Sequence, residues 1–503
     1  MKNYIFIVLY IILAILISIQ AKAVVINSPG YYQIPGDVTD SESKVLIFVN
    51  SSNVVIDGNN HVLDGVIQSN LYCIYVQNVS NVTIKNVIIK ECYCGIYVKS
   101  CKNVTILNCT VEGCVHSIYL DGSMYSSIFN CSLVNGSNNG LRLVNSSFNM
   151  IYSNYVFGNM WNGIRLKYSN YNYINNNIII KNMHGICMNS SNSNTIAFNT
   201  IIGNVVGTRL VYCSSNNIFK NRIGTNQRFG ILFANDCHEN NVSENLLERN
   251  YIGVGLLNST NNIIYENMVN YSKLYNIYLK LSKYNIINKN IVGNTYLGGI
   301  CLMSSSNNFV YNNTVFSSQW DGIHLSISYN NIMAYNVLSQ NTHGICMELN
   351  NKYNIIFNNL IRFNRVGIHI ANSSFNDIIQ NTVVNNSRIG IFIRKVMSAY
   401  NNISTNIIKF NKVGILINGS NSNLIYNNYF DNTINAYDDG SNMWNVTKVS
   451  GTNIVGGHYI GGNYWSDYTG IDVNGDGIGD TNIPYNSGGY IRVEGDYLPL
   501  VST

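Results

Sequence analysis

The chain is poor in charge and almost free of proline. Only 11% of its 503 residues are charged, and four are proline. The net charge of +5 is mild for this length, so it does not argue for a nucleic-acid partner, and none is expected. Sparse charge together with many β-branched and aromatic residues favours strands over helices. These shortages favour an all-β protein that does not bind nucleic acid.

The N-terminus has the pattern of a secretory leader. Lys2 precedes an apolar run at 5–19, and Ala21-Lys22-Ala23 fits a small-x-small cleavage site. The run is short for a membrane span, although an uncleaved anchor is the alternative. No second apolar span follows. We expect residues 1–23 to be a signal peptide and the mature protein to be secreted or held in the cell envelope, without a membrane span.

A Gly-Ile-x-apolar tetrad recurs along the chain. Its clear copies begin at Gly95, Gly140, Gly163, Gly185, Gly230, Gly299, Gly322, Gly344, Gly367, Gly390 and Gly414. A column of asparagines has the same period of 22 to 24 residues and includes Asn86, Asn108, Asn130, Asn154, Asn177, Asn199, Asn267 and Asn359. Helical solenoids have longer repeats, and the spacing of leucine-rich repeats is absent. The period predicts an all-β, right-handed parallel β-helix with three short strands per turn, 22–23 residues per turn and roughly sixteen turns over residues 71–430.

The predicted fold assigns a direction to each position of the tetrad. Ile and the last apolar residue should point inward and x outward, because side chains alternate along a strand. Glycine should mark a bend where a side chain would not fit. A buried asparagine can bond the asparagines one turn above and below, so we interpret the asparagine column as structural.

The two ends of the chain differ from the repeat. We expect 24–70 to form an N-terminal cap with the first turn, and 431–503 to form a C-terminal cap. The stretches "INSPGYYQIPGDV", "SNVVIDGNNHVLDG" and "GGNYWSDYTGIDVNGDGIGDTNIPY", taken with the repeat, resemble the NosD-type family of secreted β-helix proteins. That resemblance implies a repeat domain of the carbohydrate-binding and sugar-hydrolysis type, with cell-surface members among archaea. The namesake of the family serves copper-site maturation in the periplasm, but a shared fold does not carry an activity with it.

The C-terminal tail contains the acidic loop "DVNGDGIGD". Its oxygen-bearing residues Asp472, Asn474, Asp476 and Asp480 occupy positions 1, 3, 5 and 9 of a calcium loop. Position 12 is Ile483, so the bidentate glutamate of an EF-hand is missing. We predict a bound calcium ion that clamps the cap, with an Asx-rich turn held by its own side chains as the alternative.

Cysteines are concentrated near the start of the repeat. Cys92 and Cys114 are 22 residues apart, as are Cys109 and Cys131, so each pair occupies one place on successive turns. The distance between stacked strands suits a disulfide, and an exported protein could form both. We predict the bridges Cys92–Cys114 and Cys109–Cys131, with buried free thiols as the alternative.

Position x of the tetrad forms an outward column with two notable patches. The first is a basic strip, predicted as a face for a glycan or an anionic surface, and it comprises Tyr97, Tyr119, Arg142, Arg165 and Arg209. A solvated sheet face is the alternative.

The second patch consists of soft-metal ligands on four consecutive turns. It comprises Cys301, His324, Cys346 and His369, which could bind copper(I) or zinc(II). Glu348 is the one second-shell carboxylate in evidence. The pentapeptide "HGICM" at 184–188 and 343–347 is interpreted as a repeat fingerprint in which only the cysteine is free to act.

Catalytic carboxylates are scarce. Only 11 acidic residues lie between 65 and 430, and only Glu244 and Glu266 are one turn apart. Polysaccharide-cleaving β-helices place two or three aspartates, or a calcium–aspartate cluster with an arginine, on one outer face, so no catalytic residue is predicted.

The sequence favours a secreted or cell-surface protein with a carbohydrate-related binding or structural role, and a surface polysaccharide or glycoprotein layer as partner. Many Asn-x-Ser/Thr sites, such as Asn78 and Asn81, allow glycosylation. A copper-handling accessory is the first alternative, and a polysaccharide hydrolase or lyase is the second.

Overall fold

The computed structural model describes residues 15–16, 23–40, 43–66 and 70–502. The predicted leader lies outside this part of the chain except at 15–16 and 23. No helix among the described residues has both the length and the apolar character needed to cross a membrane. Contacts divide the chain into a first unit, 1–209 with 213–217, and a second unit, 210–212 with 218–503.

Each unit is a parallel β-solenoid whose turns add one strand to each of three sheets, here called S1, S2 and S3. In the first unit, S1 consists of Val24–Ile26, Val45–Val49, Tyr72–Gln77, Cys94–Lys99, His116–Asp121, Asn139–Val144, Asn162–Lys167 and His184–Asn189. S2 consists of Ile15–Leu16, Gly30–Gln33, Val54–Asp57, Ser80–Lys85, Lys102–Leu107, Ser127–Phe129, Met150–Tyr152, Tyr173–Asn175 and Thr195–Ala197. S3 consists of Val38–Thr39, Val62–Asp64, Ile88–Lys90, Thr110–Glu112, Ser132–Val134, Tyr155–Phe157, Ile178–Ile180 and Thr200–Ile202. Two strands, Val206–Val211 and Asn217–Phe219, contain residues of both units.

The second unit repeats the same plan. Its S1 strands are Phe229–Ala234, Ile252–Leu257, Tyr275–Lys280, Gly298–Met303, Asp321–Ser326, His343–Glu348, Val366–Ala371, Ile389–Arg394, Val413–Asn418 and Ile434–Asp438. Its S2 strands are Asn241–Ser243, Ile263–Tyr265, Ile286–Asn288, Phe309–Tyr311, Ile332–Ala334, Ile355–Phe357, Asp377–Ile379, Asn402–Ser404 and Leu424–Tyr426. Its S3 strands are Arg222–Gly224, Leu246–Glu248, Met268–Asn270, Ile291–Gly293, Thr314–Phe316, Val337–Ser339, Leu360–Arg362, Thr382–Val384, Ile407–Lys409, Tyr429–Asp431 and Tyr464–Trp465. An antiparallel pair, Val449–Ser450 with Tyr459–Ile460, and a 3₁₀ turn at Ser487–Gly489 lie in the C-terminal region.

The two units together hold about 18 turns, more than the sixteen predicted. The difference arises at the N-terminal end, where the predicted cap already forms strands of the solenoid. Val45–Val49 pairs in parallel with Tyr72–Gln77, and Val54–Asp57 pairs with Ser80–Lys85. The sequence repeat is weak there because the tetrad glycine is missing, although the backbone pairing is the same.

The predicted glycine constraint is a close approach between turns. A Cβ atom on Gly344 would lie 2.6 Å from the carbonyl oxygen of Gly367, one turn further along the chain. The inward Ile345 and Met347 are fully buried, as the alternation predicted. Any larger residue at this position would therefore have to push successive turns apart.

Asparagine ladders hold the corner between S2 and S3, which confirms their structural interpretation. Asn154 Nδ2 donates to Asn177 Oδ1 at 3.0 Å and to the Ile128 carbonyl at 2.9 Å. A buried amide that bonds both the neighbouring asparagine and a backbone carbonyl stabilises the bend at which it lies. In the first turns, the sequence pattern assigned the ladder to residues one position too early. Asn86 and Asn108 are left-handed corner residues with φ of 52° and not members of the ladder. The ladder position after Asn108 is Cys109, whose thiol donates to carbonyls.

The structure corrects the predicted disulfides. The described bridge joins Cys73 to Cys92 with a Cα–Cα distance of 6.2 Å, and Cys109, Cys114 and Cys131 are free and buried. Cys73 takes the tetrad-glycine position, from which a Cβ points at the S3–S1 corner of the next turn, where Cys92 lies. The free thiols instead occupy ladder positions; Cys131 Sγ donates to the Phe129 carbonyl at 3.3 Å. Stacked ladder residues point the same way and bond the backbone, so they do not bridge.

Candidate functional site

Outward columns on S1 of the second unit bring chemically active side chains together. Cys301, His324, Cys346 and His369 lie in direct register on consecutive strands, as the sequence predicted. The first residue of each strand forms a neighbouring column, in which Asp321 is paired with His343. Side chains of the two columns touch, so the site is built from both.

Asp321 bridges two histidines from adjacent strands. Its carboxylate oxygens accept from His324 Nδ1 and His343 Nδ1, each at 2.8 Å. Burial alone would raise the pKa of the Asp321 carboxyl, but the hydrogen bonds from both imidazoles hold that pKa below its usual value. Because each Nδ1–H donates to a carboxylate, each ring is left with an Nε2 lone pair for a ligand. Carboxylates orient metal-binding histidines in this way.

Cys346 and His369 form the inner part of the site. Cys346 Sγ lies 3.5 Å from His369 Nδ1, and the rings of His343 and His369 are 4.8 Å apart. Burial raises the pKa of the Cys346 thiol well above its usual value. Burial, followed by the nearby His343 and Arg394, lowers the pKa of His369 to about 3. The thiol is therefore protonated and the imidazole neutral at neutral pH.

Charged residues border the inner part. Arg394 Nε donates to His369 Nε2 at 2.8 Å, and Glu348 Oε1 lies 3.7 Å from His369 Nδ1. Glu348 also pairs with Arg394 at 3.6 Å, so the carboxylate that the sequence indicated as a second-shell group is shared between these two partners.

The potential ligand atoms converge in two overlapping sets. One nitrogen or sulfur atom from each of His343, Cys346 and His369 lies within 4.8 Å of the others, and the same distance joins a carboxylate oxygen of Asp321 to atoms of His324 and Cys346. Thiolate and imidazole ligands fit a soft or borderline metal ion. Cys301 is in neither set; it is fully buried and its thiol bonds Tyr275.

The inner ligands line a cavity of about 290 Å³ that reaches the surface. Its wall also includes aromatic and basic side chains, namely Trp320, Arg365, Arg388, Phe392 and Arg394. This cavity gives an ion or a small ligand a path to Cys346.

Sequence reasoning missed two members of this site. The sequence did not single out Asp321, and it left only the cysteine of the second "HGICM" free to act, whereas the structure brings His343 to the same site as a potential ligand. The signal was present in the register: residues directly before the tetrad glycine recur with the same period as position x. Their orientation depends on the bend at that glycine and could not be read from alternation alone.

The first unit carries the predicted basic strip on the equivalent face. Arg142 and Arg165 are paired in register, and Tyr97 and Tyr119 precede them in the same column. The Arg142 guanidinium lies 4.5 Å from the centre of the Tyr119 ring. Tyr97 is buried and its hydroxyl donates to Asp121 at 2.9 Å, so it supports the strip from within the sheet.

The acidic loop is held by hydrogen bonds of its own. Asp472 accepts from the backbone amides of Gly475, Asp476 and Gly477. Asp480 accepts from the amides of Val473 and Asn474, and Asp476 bonds the Lys448 ammonium group. These contacts build the Asx-rich turn that the sequence left as the alternative. The calcium ion stays a prediction.

The only carboxylates found one turn apart in the sequence are neutralised by lysines. Glu244 pairs with Lys220 at 3.4 Å, and Glu266 pairs with Lys289 at 3.3 Å. Both glutamates are corner residues with positive φ on the outside of the solenoid.

With three parallel sheets and one-turn stacking in each unit, the chain is a right-handed parallel β-helix protein. It matches the family described as "Right handed beta helix region" over residues 45–201 and 162–269. Over residues 315–470, which include the cysteine–histidine site, it matches the family described as "Periplasmic copper-binding protein (NosD)". The chain thus resembles the NosD-type right-handed β-helix proteins, and each family model matches less than half of its length. No curated protein sequence matches it.

Several solved structures are similar to this chain at low identity. DFA-IIIase from Arthrobacter chlorophenolicus A6 in complex with GF2 has 12% identity and a TM-score of 0.43, and the match covers 49% of this chain and 80% of that one. A mutant of the periplasmic alginate epimerase AlgG has 16% identity and a TM-score of 0.37, with 62% and 79% covered. The Dettilon tailspike protein has 14% identity and a TM-score of 0.34, with 64% and 60% covered.

Proposed function

We propose that this protein binds copper(I) as a cargo ion at His343, Cys346 and His369. The observation that carries the proposal is the convergence of one thiol and two imidazoles within 4.8 Å on neighbouring strands. The ligands lie within the part of the chain that matches a family described as copper-binding.

The chemistry of the donors favours copper(I) over hard cations. Thiolate and imidazole select soft or borderline ions, whereas magnesium and calcium require oxygen ligands. Asp321 supplies the carboxylate that orients His343 and leaves Nε2 available. Zinc(II) is the competing ion, since it accepts the same donors, and the choice between the two is an outcome of the measurement below.

Binding requires the loss of the Cys346 proton, because the thiolate is the ligand. His369 is neutral near pH 7, but its Nε2 accepts from Arg394 Nε, so Arg394 must release that nitrogen before the ring can bind the ion. The open cavity beside the ligands leaves room for exchange of the ion with a donor or acceptor, which suits a cargo site better than a closed structural site. The leader-like N-terminus and the periplasmic description of the family support a location outside the cytoplasm.

The test is copper(I) affinity of the full-length protein under anaerobic reducing conditions, measured by competition with a chromophoric chelator. Cys346→Ser should weaken binding by at least tenfold. Cys187→Ser, in the first copy of the same pentapeptide, and Cys301→Ser, two positions away in the same column, are matched controls and should bind like the wild type. Equal affinities for Cys346→Ser and Cys187→Ser would refute the proposal. Tighter binding of zinc(II) at Cys346 would replace copper with zinc as the cargo.

A further inference from the structure

The two copies of "HGICM" stand in equivalent places within their own units. Asn162 is paired with His184, as Asp321 is with His343. Arg165 is paired with Cys187, as His324 is with Cys346. An exposed tryptophan comes directly before each pair, Trp161 in the first unit and Trp320 in the second. The first unit thus has the same backbone register at this place, with different side chains at the equivalent positions.

These replacements remove the metal-ligand chemistry. Asn162 Oδ1 contacts His184 Nδ1 at 2.9 Å, so a neutral amide stands where Asp321 has its charge. Arg165 replaces one histidine, and Arg209, whose side chain bonds the Cys187 thiol, takes the place that corresponds to His369. Guanidinium groups do not bind metal ions, so this face calls for a ligand of the opposite charge.

The arginines of the strip have few neutralising partners. In the described part of the first unit, ion pairs join His61 to Asp37 and Lys85 to Asp57, and no arginine of the strip takes part in one. Arg142 Nη1 contacts His116 Nε2 at 3.1 Å, while Arg142 Nε is buried without a hydrogen-bond partner. A half-buried guanidinium with an unpaired N–H group destabilises the fold unless a ligand accepts a hydrogen bond from it.

The surrounding histidines reflect the positive potential. Burial and then the nearby arginines lower the pKa of His116 and His184 to about 4 each. Both rings are neutral at neutral pH, so the charge of the strip comes from its three arginines. Trp161, which is 53% exposed, directly precedes Asn162, and its carbonyl accepts from the backbone amide of His184.

We propose that Arg142, Arg165 and Arg209, together with Trp161, bind a linear acidic polysaccharide through the carboxylates of its uronic-acid residues. Arginine forks match carboxylates in a bidentate geometry. Arg142 and Arg165 are on adjacent strands, about 4.8 Å apart, so they can meet charges that repeat along an extended polymer. An exposed indole directly before the strand that carries Arg165 suits a sugar ring, which is polar at its edge and apolar on its face. The proposal is independent of the metal site.

The test is isothermal titration of the full-length protein with an oligomer of galacturonic acid and with a neutral galactose oligomer of equal length. The acidic oligomer should bind, with an affinity that falls as salt rises, and the neutral oligomer should not. Arg165→Gln should weaken binding at least tenfold. Arg222→Gln, which removes the same charge from an exposed position on S3 of the second unit, should leave binding unchanged.

Fluorescence of the wild-type protein gives a second measurement that needs no arginine variant. The acidic oligomer should change the tryptophan emission, and Trp161→Phe should abolish that change. Equal loss of binding in Arg165→Gln and Arg222→Gln would overturn the site. Binding of a single-stranded oligothymidylate with the same dependence on Arg165 would overturn the polysaccharide and assign the strip to a nucleic acid.

Discussion

Asp321 and His343 come from adjacent strands of one sheet and are joined by a hydrogen bond of 2.8 Å. Neither residue belongs to the outward column that the repeat defines, yet the bond leaves Nε2 as the His343 nitrogen with a free lone pair. The same carboxylate holds His324 from the other side. One buried acid thus fixes the tautomers of two potential ligands, and this arrangement distinguishes the site from a chance cluster.

Asp321→Asn tests this positioning role. The amide keeps the size of the side chain but loses the charge, and its NH₂ group opposes one of the two imidazole N–H groups. We expect copper(I) affinity to fall about 10–100-fold. Asp236→Asn, on an exposed loop, is the charge-matched control. Retained affinity in Asp321→Asn, with an unchanged fold by circular dichroism, would remove Asp321 from the site.

The buried histidine of the first unit makes stability depend on pH. The folded pKa of His116 is about 4, below the value of about 6.5 in an unfolded chain. Between these values the unfolded state binds more protons, so stability is present above pH 6.5 and is lost as the pH falls towards 4.

His116→Asn should reduce this loss, because asparagine does not titrate and continues the column of Asn139 and Asn162. The measurement is the urea midpoint of both proteins at pH 7 and pH 4.5. The urea midpoint of the wild type should fall more between pH 7 and pH 4.5 than that of His116→Asn. An equal or smaller fall in the wild type would show that His116 is not the source of the pH dependence.

The ladder interpretation predicts that some early cysteines can be replaced by asparagine. The backbone amide of Cys131 already donates to Asn154 Oδ1 at 3.0 Å, in the position that an asparagine ladder would continue. Cys131→Asn should leave stability within about 1 kcal/mol of the wild type. Cys131→Leu removes the donor to the buried carbonyls and should cost about 1–3 kcal/mol. Chemical denaturation compares the two variants, and an equal cost for both would contradict the ladder.

The predicted calcium ion can be tested on the full-length chain by its melting temperature in calcium and in chelator. Calcium should raise the melting temperature, and Asp472→Ala should abolish that rise. Lys448→Met should increase the effect, because the ammonium group of Lys448 occupies Asp476. Identical melting curves in calcium and chelator would leave the loop as an Asx-rich turn alone.

Much of the fold was predictable because the repeat is strict. Two columns with one period gave the parallel β-helix, the outward direction of Cys346 and His369, and the structural role of Asn154 and Asn177. The pairing of cysteines was not predictable in the same way. Equal spacing placed Cys92 above Cys114, but the direction of each side chain at a corner decided that Cys92 meets Cys73.

The sequence by itself determined which residues stack on one another, since a period of about 23 residues sets the register of every strand. It therefore placed the residues of the arginine strip in one column of the first unit and Cys301, His324, Cys346 and His369 in register in the second. Only the tertiary structure decided which neighbouring columns touch. The bend at the tetrad glycine turns the preceding side chain outward, and that rotation brings Asp321 and His343 to Cys346, whereas at the first copy it brings Asn162 and His184 among arginines. Register follows from periodic backbone pairing, but contact between columns depends on side-chain direction at an irregular bend, which periodicity does not encode.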